Sequence, residues 1–263
     1  MTNPLVSVVI PAFNEASLVE RCVVETVATL TELQFRHEVI VVDDGSEDGT
    51  AELARAVADR FPNVRVVGHE VNRGKGSALI RGASAAAGDL VLFLDADLEV
   101  HPRQLRLLWR TMEETNADVV IGSKLHPQSQ IDYPVERRIL SHGYYWLVKA
   151  LFRLPVHDTQ TGLKLYRREV LARVLPRLVI KRYAHDLEVL VNVHRLGYRI
   201  AETPVVVTRV RPFPRVGISD AWNVAWDTAA IFYRTYILRY YDRVGPEADA
   251  LAAESTWDLD EPT

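Results

Sequence analysis

Two aspartates one residue apart follow a wholly apolar run in the middle of the chain. Residues 90–94 are apolar, and Asp95 and Asp97 come directly after them. Such a run predicts a strand buried on both faces of a parallel sheet, and strands of this kind present ligand-contacting groups at their carboxyl ends. Two carboxylates there suit Mg²⁺ or Mn²⁺, which take further ligands from a substrate phosphate. The pattern favours a phosphorylated small-molecule substrate; alternatively, the aspartates only cap a following helix.

The elements that must position these carboxylates alternate along the front half of the chain. Hydrophobic patterning predicts strands at 6–10, 39–42, 64–67, 90–94 and 119–121, and helices at 15–31, 50–60, 74–87 and 102–115. This alternation predicts an α/β fold with a doubly wound, mostly parallel sheet. After residue 122 the regular alternation of strands and helices ends. There we predict helices at 137–153, 168–175 and 186–195 with short strands at 163–166 and 204–207.

Composition and charge exclude several classes of protein. The single cysteine, Cys22, excludes a disulfide framework and a cysteine-based zinc site, and it fits a reducing compartment. Residues 1–130 carry 12 basic against 19 acidic side chains, whereas residues 131–216 carry 16 against 7. The basic segment predicts an anionic partner, with a merely solvated basic face as the alternative. It matches no nucleic-acid recognition motif, so we expect no nucleic acid. No G-x-G-x-x-G follows the first strand, which disfavours a nicotinamide dehydrogenase.

Four segments together resemble the inverting family-2 glycosyltransferases. They are VSVVIPAFNEA (6–16), EVIVVDDGSEDGT (38–50), GKGSALIRGA (74–83) and GDLVLFLDADLEVHP (88–102). The resemblance extends over roughly residues 5–220. It implies a GT-A fold, which is Rossmann-like with three layers, a nucleotide-diphosphate sugar as donor, and a divalent metal, Mg²⁺ or Mn²⁺, as cofactor.

The predicted donor site combines two strand ends with a helix start. Loops 11–15 and 43–46 follow adjacent strands, where a nucleoside would lie. Lys75 opens a helix whose free N–H groups could face a diphosphate. Core packing is the alternative for Phe13, and turn geometry is the alternative for Asp43. The donor-binding residues that we predict, several of them through the resemblance, are Pro11, Ala12, Phe13, Glu15, Asp43, Asp44, Lys75, Asp95, Ala96, Gln160 and Arg215.

The resemblance also assigns roles to the acidic residues. It implies that Asp95 orients the sugar diphosphate and that Asp97 binds the metal, with Glu99 as a third ligand where relatives often have glutamine. Asp186 and Glu188 match acidic positions near the sugar. We predict Asp95, Asp97 and Asp186 as catalytic; Asp186 would be a general base toward a hydroxyl acceptor, or would only position the sugar beside a phosphate acceptor. A solvated helix face is the alternative for Asp186 and Glu188.

The second half of the chain indicates the class of acceptor. The segment RRILSHGYYWLVKALFRLPVHDTQTGLKLYRREV (137–170) resembles the polyprenyl-phosphate branch of the family, the dolichyl-phosphate glucose and mannose synthases and their bacterial relatives. Arg137 and Ser141 are four residues apart on the predicted helix, so their side chains share a face that suits a lipid phosphate. Arg138 could take the place of Arg137, because the sequence alone does not fix which face of the helix is turned toward the site. A surface arginine is the alternative. The sequence of residues 158–162 is closer to that of the glucosyl-transferring members of this branch than to that of the mannosyl-transferring ones.

A stripe of aromatic residues marks the predicted helix 219–241. Such a stripe beside arginines favours an amphipathic helix that lies on a membrane surface. Alternatively, the stripe packs on the catalytic domain or on a second copy of the chain, which leaves a homo-oligomer open. The stripe consists of Trp222, Trp226, Ala229, Tyr233, Ile237 and Tyr240.

These patterns lead to one division of the chain and one function. We predict a catalytic domain at 1–216, with a nucleotide-sugar-binding half (1–122) and an acceptor-binding half (123–216), an amphipathic segment at 217–245, and an acidic, disordered tail at 246–263. The predicted activity is metal-dependent, inverting transfer of a hexose to a polyprenyl phosphate. UDP-glucose is the first choice of donor and GDP-mannose the second.

Two other functions remain open. One is transfer to a soluble hydroxyl acceptor with Asp186 as the base, and the other is a non-catalytic nucleotide-binding module. The sequence shows no evident signal peptide and no apolar run of membrane-spanning length. We therefore expect a cytoplasmic protein that associates peripherally with the cytoplasmic face of the membrane.

Overall fold

A computed structural model of the protein describes residues 4–131, 135–180, 184–208 and 218–245, without the side chains of 135–139 and 218–221. Its strands are β1 (Leu5–Ala12), β2 (Arg36–Asp44), β3 (Val64–His69), β4 (Leu90–Phe93), β5 (Val119–Ser123), β6 (Lys164–Arg167) and β7 (Ile200–Pro204). Its α-helices are α1 (Val19–Glu32), α2 (Thr50–Ala58), α3 (Lys75–Ala85), α4 (Leu105–Thr115), α5 (Val135–Phe152), α6 (Arg168–Val174), α7 (His185–Arg195), α8 (Ile218–Phe232) and α9 (Tyr240–Arg243).

The strands form one mixed sheet in the order β3-β2-β1-β4-β6-β5-β7. Within it β6 runs antiparallel to both of its neighbours, and the other paired strands are parallel. The prediction of an α/β fold with a mostly parallel sheet is confirmed. The end of the strand–helix alternation after residue 122 corresponds to the insertion of β6 between β4 and β5.

Successive residues of the central strands face opposite sides of the sheet. Val8 and Ile10 of β1 pack in one apolar cluster with residues of α1, α2 and α4, whereas Val9 packs in a second cluster with residues of α3, α6 and α7. Both faces are therefore covered, which explains why these strands are continuous apolar runs. The carboxyl ends of β1, β2 and β4 meet at one edge of the three-layer core.

Two local predictions need correction. The last strand is 200–204 rather than 204–207, because Pro204 ends the pairing and Val205 donates its N–H to Ser129 Oγ at 2.9 Å instead. The predicted helix 219–241 is not continuous, since a π-helical turn at Tyr233–Ile237 and a left-handed Arg239 (φ 50°) separate α8 from α9. The predicted tail 246–263 lies outside the described residues.

Candidate active site

A cavity of about 320 Å³ opens at the edge where β1, β2 and β4 end. It brings together the loop after β1, the end of β2, the start of α3 and the loop after β4. Its lining residues are Pro11, Ala12, Phe13, Glu15, Asp44, Asn72, Lys75, Ala78, Asp95, Ala96 and Asp97. Eight of the predicted donor-binding residues therefore lie on one surface, as does Asp97.

Asp95 and Asp97 reach the cavity from the loop that follows β4. Asp95 Oδ1 forms an ion pair with Lys75 Nζ at 2.6 Å. Asp97 Oδ1 accepts a hydrogen bond from the Glu99 N–H at 2.9 Å, across a turn in which Leu98 has a φ of 57°. Burial and the neighbouring Asp95 charge raise the pKa of Asp97 to about 6. Two crowded carboxylates in one concave surface form a site that favours a cation.

Lys75 is the first residue of α3 and lies between acidic groups. Burial acts to lower the pKa of its ammonium, but the charges of Asp95 and Asp186 outweigh burial and raise it well above its usual range. Lys75 therefore stays positively charged at the helix N-terminus, where the helix dipole also favours anions. The start of α3 can thus contribute both backbone N–H groups and an ammonium to a diphosphate.

Asp44 fixes the loop that leads into α3. Its carboxylate is buried and accepts the N–H of Gly74 at 2.7 Å, the N–H of Arg73 at 3.0 Å and His69 Nδ1 at 2.8 Å. Gly74 has a φ of 95°, a conformation that L side chains rarely adopt. Asp44 thus lines the cavity mainly as an anchor for Lys75. Asp43 is not among the lining residues; its Oδ2 accepts the Ser46 N–H at 3.4 Å, in the turn geometry that was the alternative.

The loops after β1 and β2 hold each other in place. The N–H of Asn14 donates to Ser46 Oγ at 3.0 Å, and the N–H of Glu15 donates to Thr50 Oγ1 at 2.8 Å. Phe13, the residue before Asn14, lines the cavity and is 44% exposed. Its ring is therefore not part of the core, and it is available to stack against a planar ligand.

Asp186 lies behind Lys75 on the first turn of α7, and it belongs to a buried ion pair. Its Oδ1 accepts a hydrogen bond from Lys164 Nζ at 2.6 Å. Burial acts to raise the pKa of Asp186, but Lys164, Lys75 and His185 together lower it below its usual value. The solvated-face alternative for Asp186 is wrong. Lys164 was missed by sequence reasoning, although a lysine between Leu163 and Leu165 of a predicted strand was a signal for a paired buried charge.

Glu188 does not share the surroundings of Asp186, because side chains two residues apart on a helix point in different directions. Its buried carboxylate accepts the Tyr241 hydroxyl at 2.5 Å and the N–H groups of Val179 and Ile180 at 3.0 and 2.8 Å. Burial raises its pKa. Glu188 therefore ties α9 and the segment before α7 to the core, and because it is buried, the solvated-face alternative is wrong for Glu188 as well.

Two carboxylates in the cavity could hold a metal. Glu99, the third predicted ligand, lies outside the cavity lining and faces Lys124 Nζ at 3.7 Å. In the part of the chain that the structure describes, no three acidic, histidine or cysteine side chains form a metal-binding group. Asp95 and Asp97 alone nevertheless fit Mg²⁺ or Mn²⁺, since such ions commonly use one or two carboxylates, with waters and substrate phosphates as further ligands.

The remaining predicted site residues are not among those that line this cavity, or lie outside the described residues. Gln160 is exposed, its N–H donates to Asp158 Oδ1 at 2.9 Å, and its side chain contacts Tyr144 and Thr159. Ser141 is half-buried on α5. Arg137 and Arg138 belong to the same helix, but their side chains lie outside the described residues, as does all of Arg215.

Helices α5 and α8 both carry exposed apolar side chains. Trp222 and Trp226 on α8 are 69% and 67% exposed, and Leu140 and Trp146 on α5 are 61% and 65% exposed. The two helices touch through Tyr144 Oη and Thr228 Oγ1, 3.2 Å apart. The stripe of α8 therefore does not pack on the catalytic domain, which was one alternative. Among the helices that the structure describes, none has the length and hydropathy needed to cross a bilayer.

The chain matches known proteins over most of its length. The model of glycosyl transferase family 2 matches residues 7–175. A dolichyl-phosphate beta-glucosyltransferase of Trichomonas vaginalis, ALG5A, is 33% identical over 90% of this chain and 76% of its own length. A dolichyl-phosphate beta-glucosyltransferase of Dictyostelium discoideum is 32% identical with the same coverage.

Solved structures show the same architecture. Glucosyl-3-phosphoglycerate synthase of Mycobacterium tuberculosis, in complex with Mn²⁺, UDP-glucose and phosphoglyceric acid, has a TM-score of 0.67 and 25% identity, covering 88% of this chain and 79% of that one. The same enzyme with Mg²⁺ and UDP also has a TM-score of 0.67 and 25% identity, over 88% and 78% of the two chains. Together with the family match, these similarities confirm the GT-A-like fold and the predicted resemblance. This chain belongs to glycosyl transferase family 2, in the branch of the dolichyl-phosphate sugar synthases, and is a hexosyltransferase.

Proposed function

We propose that the protein transfers glucose from UDP-glucose to a polyprenyl phosphate, with inversion at the anomeric carbon and with Mg²⁺ or Mn²⁺. The single observation that carries the proposal is the cavity that unites Asp95, Asp97 and Lys75 with the loop after β1. The curated relatives support glucose and a lipid phosphate through their names. The structural neighbours support UDP-glucose and a divalent metal. GDP-mannose is the second choice of donor.

The donor diphosphate is assigned to the side of the cavity that carries Lys75. Asp95 and Asp97 would hold the divalent metal, which when bound offsets the charge that develops on the departing nucleoside diphosphate. The Lys75 ammonium and the N–H groups at the start of α3 bind phosphate oxygens. Phe13 offers its exposed ring to the nucleoside base. We propose that the anomeric carbon then lies toward Asp186, the carboxylate that interacts with Lys75.

The acceptor reacts as an ionised phosphate. A phosphate oxygen attacks the anomeric carbon on the face opposite the diphosphate; the new carbon–oxygen bond forms as the old one breaks, and its electron pair leaves with the nucleoside diphosphate. A phosphate monoester is already an anion at neutral pH, so the step requires no proton acceptor. We assign the acceptor phosphate to the α5 segment that carries Arg137, Arg138 and Ser141.

The same helix links the acceptor to a membrane surface. α5 carries Ser141 and also the exposed Leu140 and Trp146, and α8, which contacts α5 through Thr228, carries two exposed tryptophans. A polyprenyl phosphate keeps its chain in the bilayer, so a helix that binds the phosphate must lie at the interface. Tryptophans at such an interface keep their apolar rings in the hydrocarbon boundary. We propose peripheral binding, and the cytoplasmic face remains our prediction.

The test is a panel of sugar nucleotides offered with a short polyprenyl phosphate, with the lipid product identified by mass and its anomeric configuration by NMR. We expect a β-linked glucosyl lipid from UDP-glucose, formed only when Mg²⁺ or Mn²⁺ is present. A mannosyl lipid from GDP-mannose alone would correct the donor and leave the acceptor assignment standing.

Two results would overturn the proposal. Equal transfer to a soluble hydroxyl acceptor without any lipid would support the alternative with Asp186 as base, which the phosphoglyceric acid complex of the structural neighbour favours. Nucleotide binding without turnover on any acceptor would support a non-catalytic module. Asp97→Asn serves as the inactive control, and the soluble acceptor to be tried first is a phosphorylated hydroxy acid.

A further inference from the structure

Lys164 is a buried cation that takes no direct part in the proposed glucosyl transfer. Its side chain is 1% exposed on β6, an interior strand of the sheet. Its ammonium donates to Asp186 Oδ1 at 2.6 Å and to the Thr161 carbonyl oxygen. Taking both members of an ion pair out of water costs several kcal/mol per ion, so apolar residues of similar volume are often no less stable. Stability alone therefore does not explain the pair.

The pair continues a row of charges that begins in the cavity. Asp95 is bonded to Lys75 at 2.6 Å, Lys75 interacts with Asp186, and Asp186 is bonded to Lys164. The signs alternate along this row. A change of charge at its inner end would therefore alter the electrostatics at Lys75, which is the end assigned to the diphosphate.

Lys164 also restrains the loop that borders Asp95. Its ammonium binds the carbonyl of Thr161, and the next residue, Gly162, lies so close to Asp95 that an added Cβ would collide with the carboxylate. One buried ammonium thus fixes two sides of the space around the Lys75–Asp95 pair. This arrangement needs a residue with several donors, which an apolar residue could not supply.

We propose that Lys164 is a positioning residue that holds Asp186 as a fixed carboxylate, so that Asp186 acts as a permanent negative charge behind Lys75 and not as a proton acceptor. This inference rests on the proposed function, because an ionised phosphate acceptor is the kind that requires no base. It also distinguishes that acceptor from a hydroxyl acceptor, for which a general base works best with a pKa near the operating pH.

The groups around Asp186 agree with this role. Lys164 and Tyr166 face it from β6, Lys75 from α3, Tyr144 from α5, and His185 is its neighbour on α7. Burial opposes ionisation of Asp186, but the cations outweigh burial and lower its pKa. Without Lys164 the desolvation of a nearly buried carboxyl would be less compensated, and its pKa would rise.

The direct test is the carboxyl ¹³C NMR titration of Asp186 in protein labelled at aspartate, with the signal assigned through Asp186→Asn. In the natural protein we expect an ionised carboxylate with no titration between about pH 5 and pH 8. In Lys164→Met we expect the signal to titrate at a higher pH than in the natural protein. An unchanged titration in Lys164→Met would overturn the proposal, whatever the enzyme transfers.

Kinetics supply the second readout. Lys164→Met should lower kcat about 100-fold, as for a displaced site, while the KM for UDP-glucose changes much less. Its loss of activity at acid pH should begin at a higher pH than in the natural protein, because protonated Asp186 lacks the required charge. Lys164→Arg, which keeps the charge, should recover part of kcat. Lys149→Met is the matched control, since Lys149 on α5 also donates its ammonium to a backbone carbonyl, that of Leu154 at 3.0 Å, and the substitution should leave kcat unchanged.

A double variant keeps the proposal testable if Lys164→Met folds poorly. Lys164→Met with Asp186→Asn removes both charges and leaves no unpaired ion. If Lys164 acts through Asp186, this variant should have the kcat of Asp186→Asn alone. A further large loss in the double variant would contradict that role. Failure of the proposed function would appear differently, as absence of a glucosyl lipid in the natural protein while the NMR result stands.

Discussion

Lys75 Nζ and Asp95 Oδ1 lie 2.6 Å apart, and they belong to different elements, the first turn of α3 and the loop after β4. Asp44 anchors the loop before α3 through the N–H groups of Arg73 and Gly74. A carboxylate at the end of β2 thus sets the position of the lysine that meets a carboxylate beyond β4. Three strand ends and one helix start cooperate to place this single ion pair.

Asp97→Asn should abolish most turnover without unfolding the protein. The substitution removes a proposed metal ligand, and we expect kcat to fall at least about 100-fold. Because burial and Asp95 raise the pKa of Asp97, loss of its charge should leave the thermal midpoint unchanged or raised when a chelator is present. Full activity of Asp97→Asn at saturating metal would refute the assignment. Glu99→Gln, outside the cavity, should retain far more activity.

Lys75→Met should weaken donor binding more than it weakens the fold. The ammonium is a charge-assisted donor to the proposed diphosphate, so we expect the Kd for UDP to rise about tenfold or more. Lys75→Arg keeps the charge and should bind UDP more tightly than Lys75→Met does. Calorimetric titration with UDP and Mn²⁺ measures both. Equal affinities in the natural protein and in Lys75→Met would place the diphosphate elsewhere.

Replacing the two exposed tryptophans of α8 should separate membrane binding from catalysis. Trp222→Ser with Trp226→Ser changes only exposed surface, so the free energy of unfolding should change by less than about 1 kcal/mol. Sedimentation with anionic vesicles should fall at least about tenfold. Val71→Ser, an exposed apolar residue far from α8 in the chain, is the matched control and should sediment normally. Undiminished vesicle binding by the double variant would exclude α8 as the contact surface.

Tyr241→Phe should destabilise the protein while leaving its chemistry intact. The substitution removes the hydroxyl donor at 2.5 Å from the buried Glu188 carboxylate, and an unsatisfied buried acceptor costs about 1–3 kcal/mol. Urea unfolding measures this loss. The kcat of the folded variant should match that of the natural protein, because Glu188 faces away from Asp186. A large drop in kcat without a loss of stability would indicate that Glu188 takes part in the active site.

The cavity could be predicted from the sequence because its residues follow local patterns. Each segment that lines it is a strand end or a helix start, and parallel strand ends meet at one edge. Contacts between distant segments could not be predicted in the same way. The Lys164–Asp186 pair joins residues 22 positions apart, and the Tyr241–Glu188 bond joins residues 53 apart.

Local sequence patterns also could not predict the direction of β6 or the residue at which α8 ends. The apolar residues of β6 predict a strand, but its antiparallel insertion between β4 and β5 depends on the long connections around it. The aromatic stripe of 219–241 has helical spacing, yet the helix stops where Arg239 turns to a positive φ and Tyr241 becomes buried against Glu188. Tertiary packing overrides the local pattern there.

The most direct test of the central claim is a crystal structure with UDP-glucose and Mn²⁺, with data collected to show the anomalous signal of manganese. The account predicts one strong peak between the Asp97 carboxylate and the diphosphate, with Lys75 in contact with phosphate oxygens and the glucose directed toward Asp186. A manganese peak remote from Asp95 and Asp97, or a diphosphate bound away from α3, would contradict it.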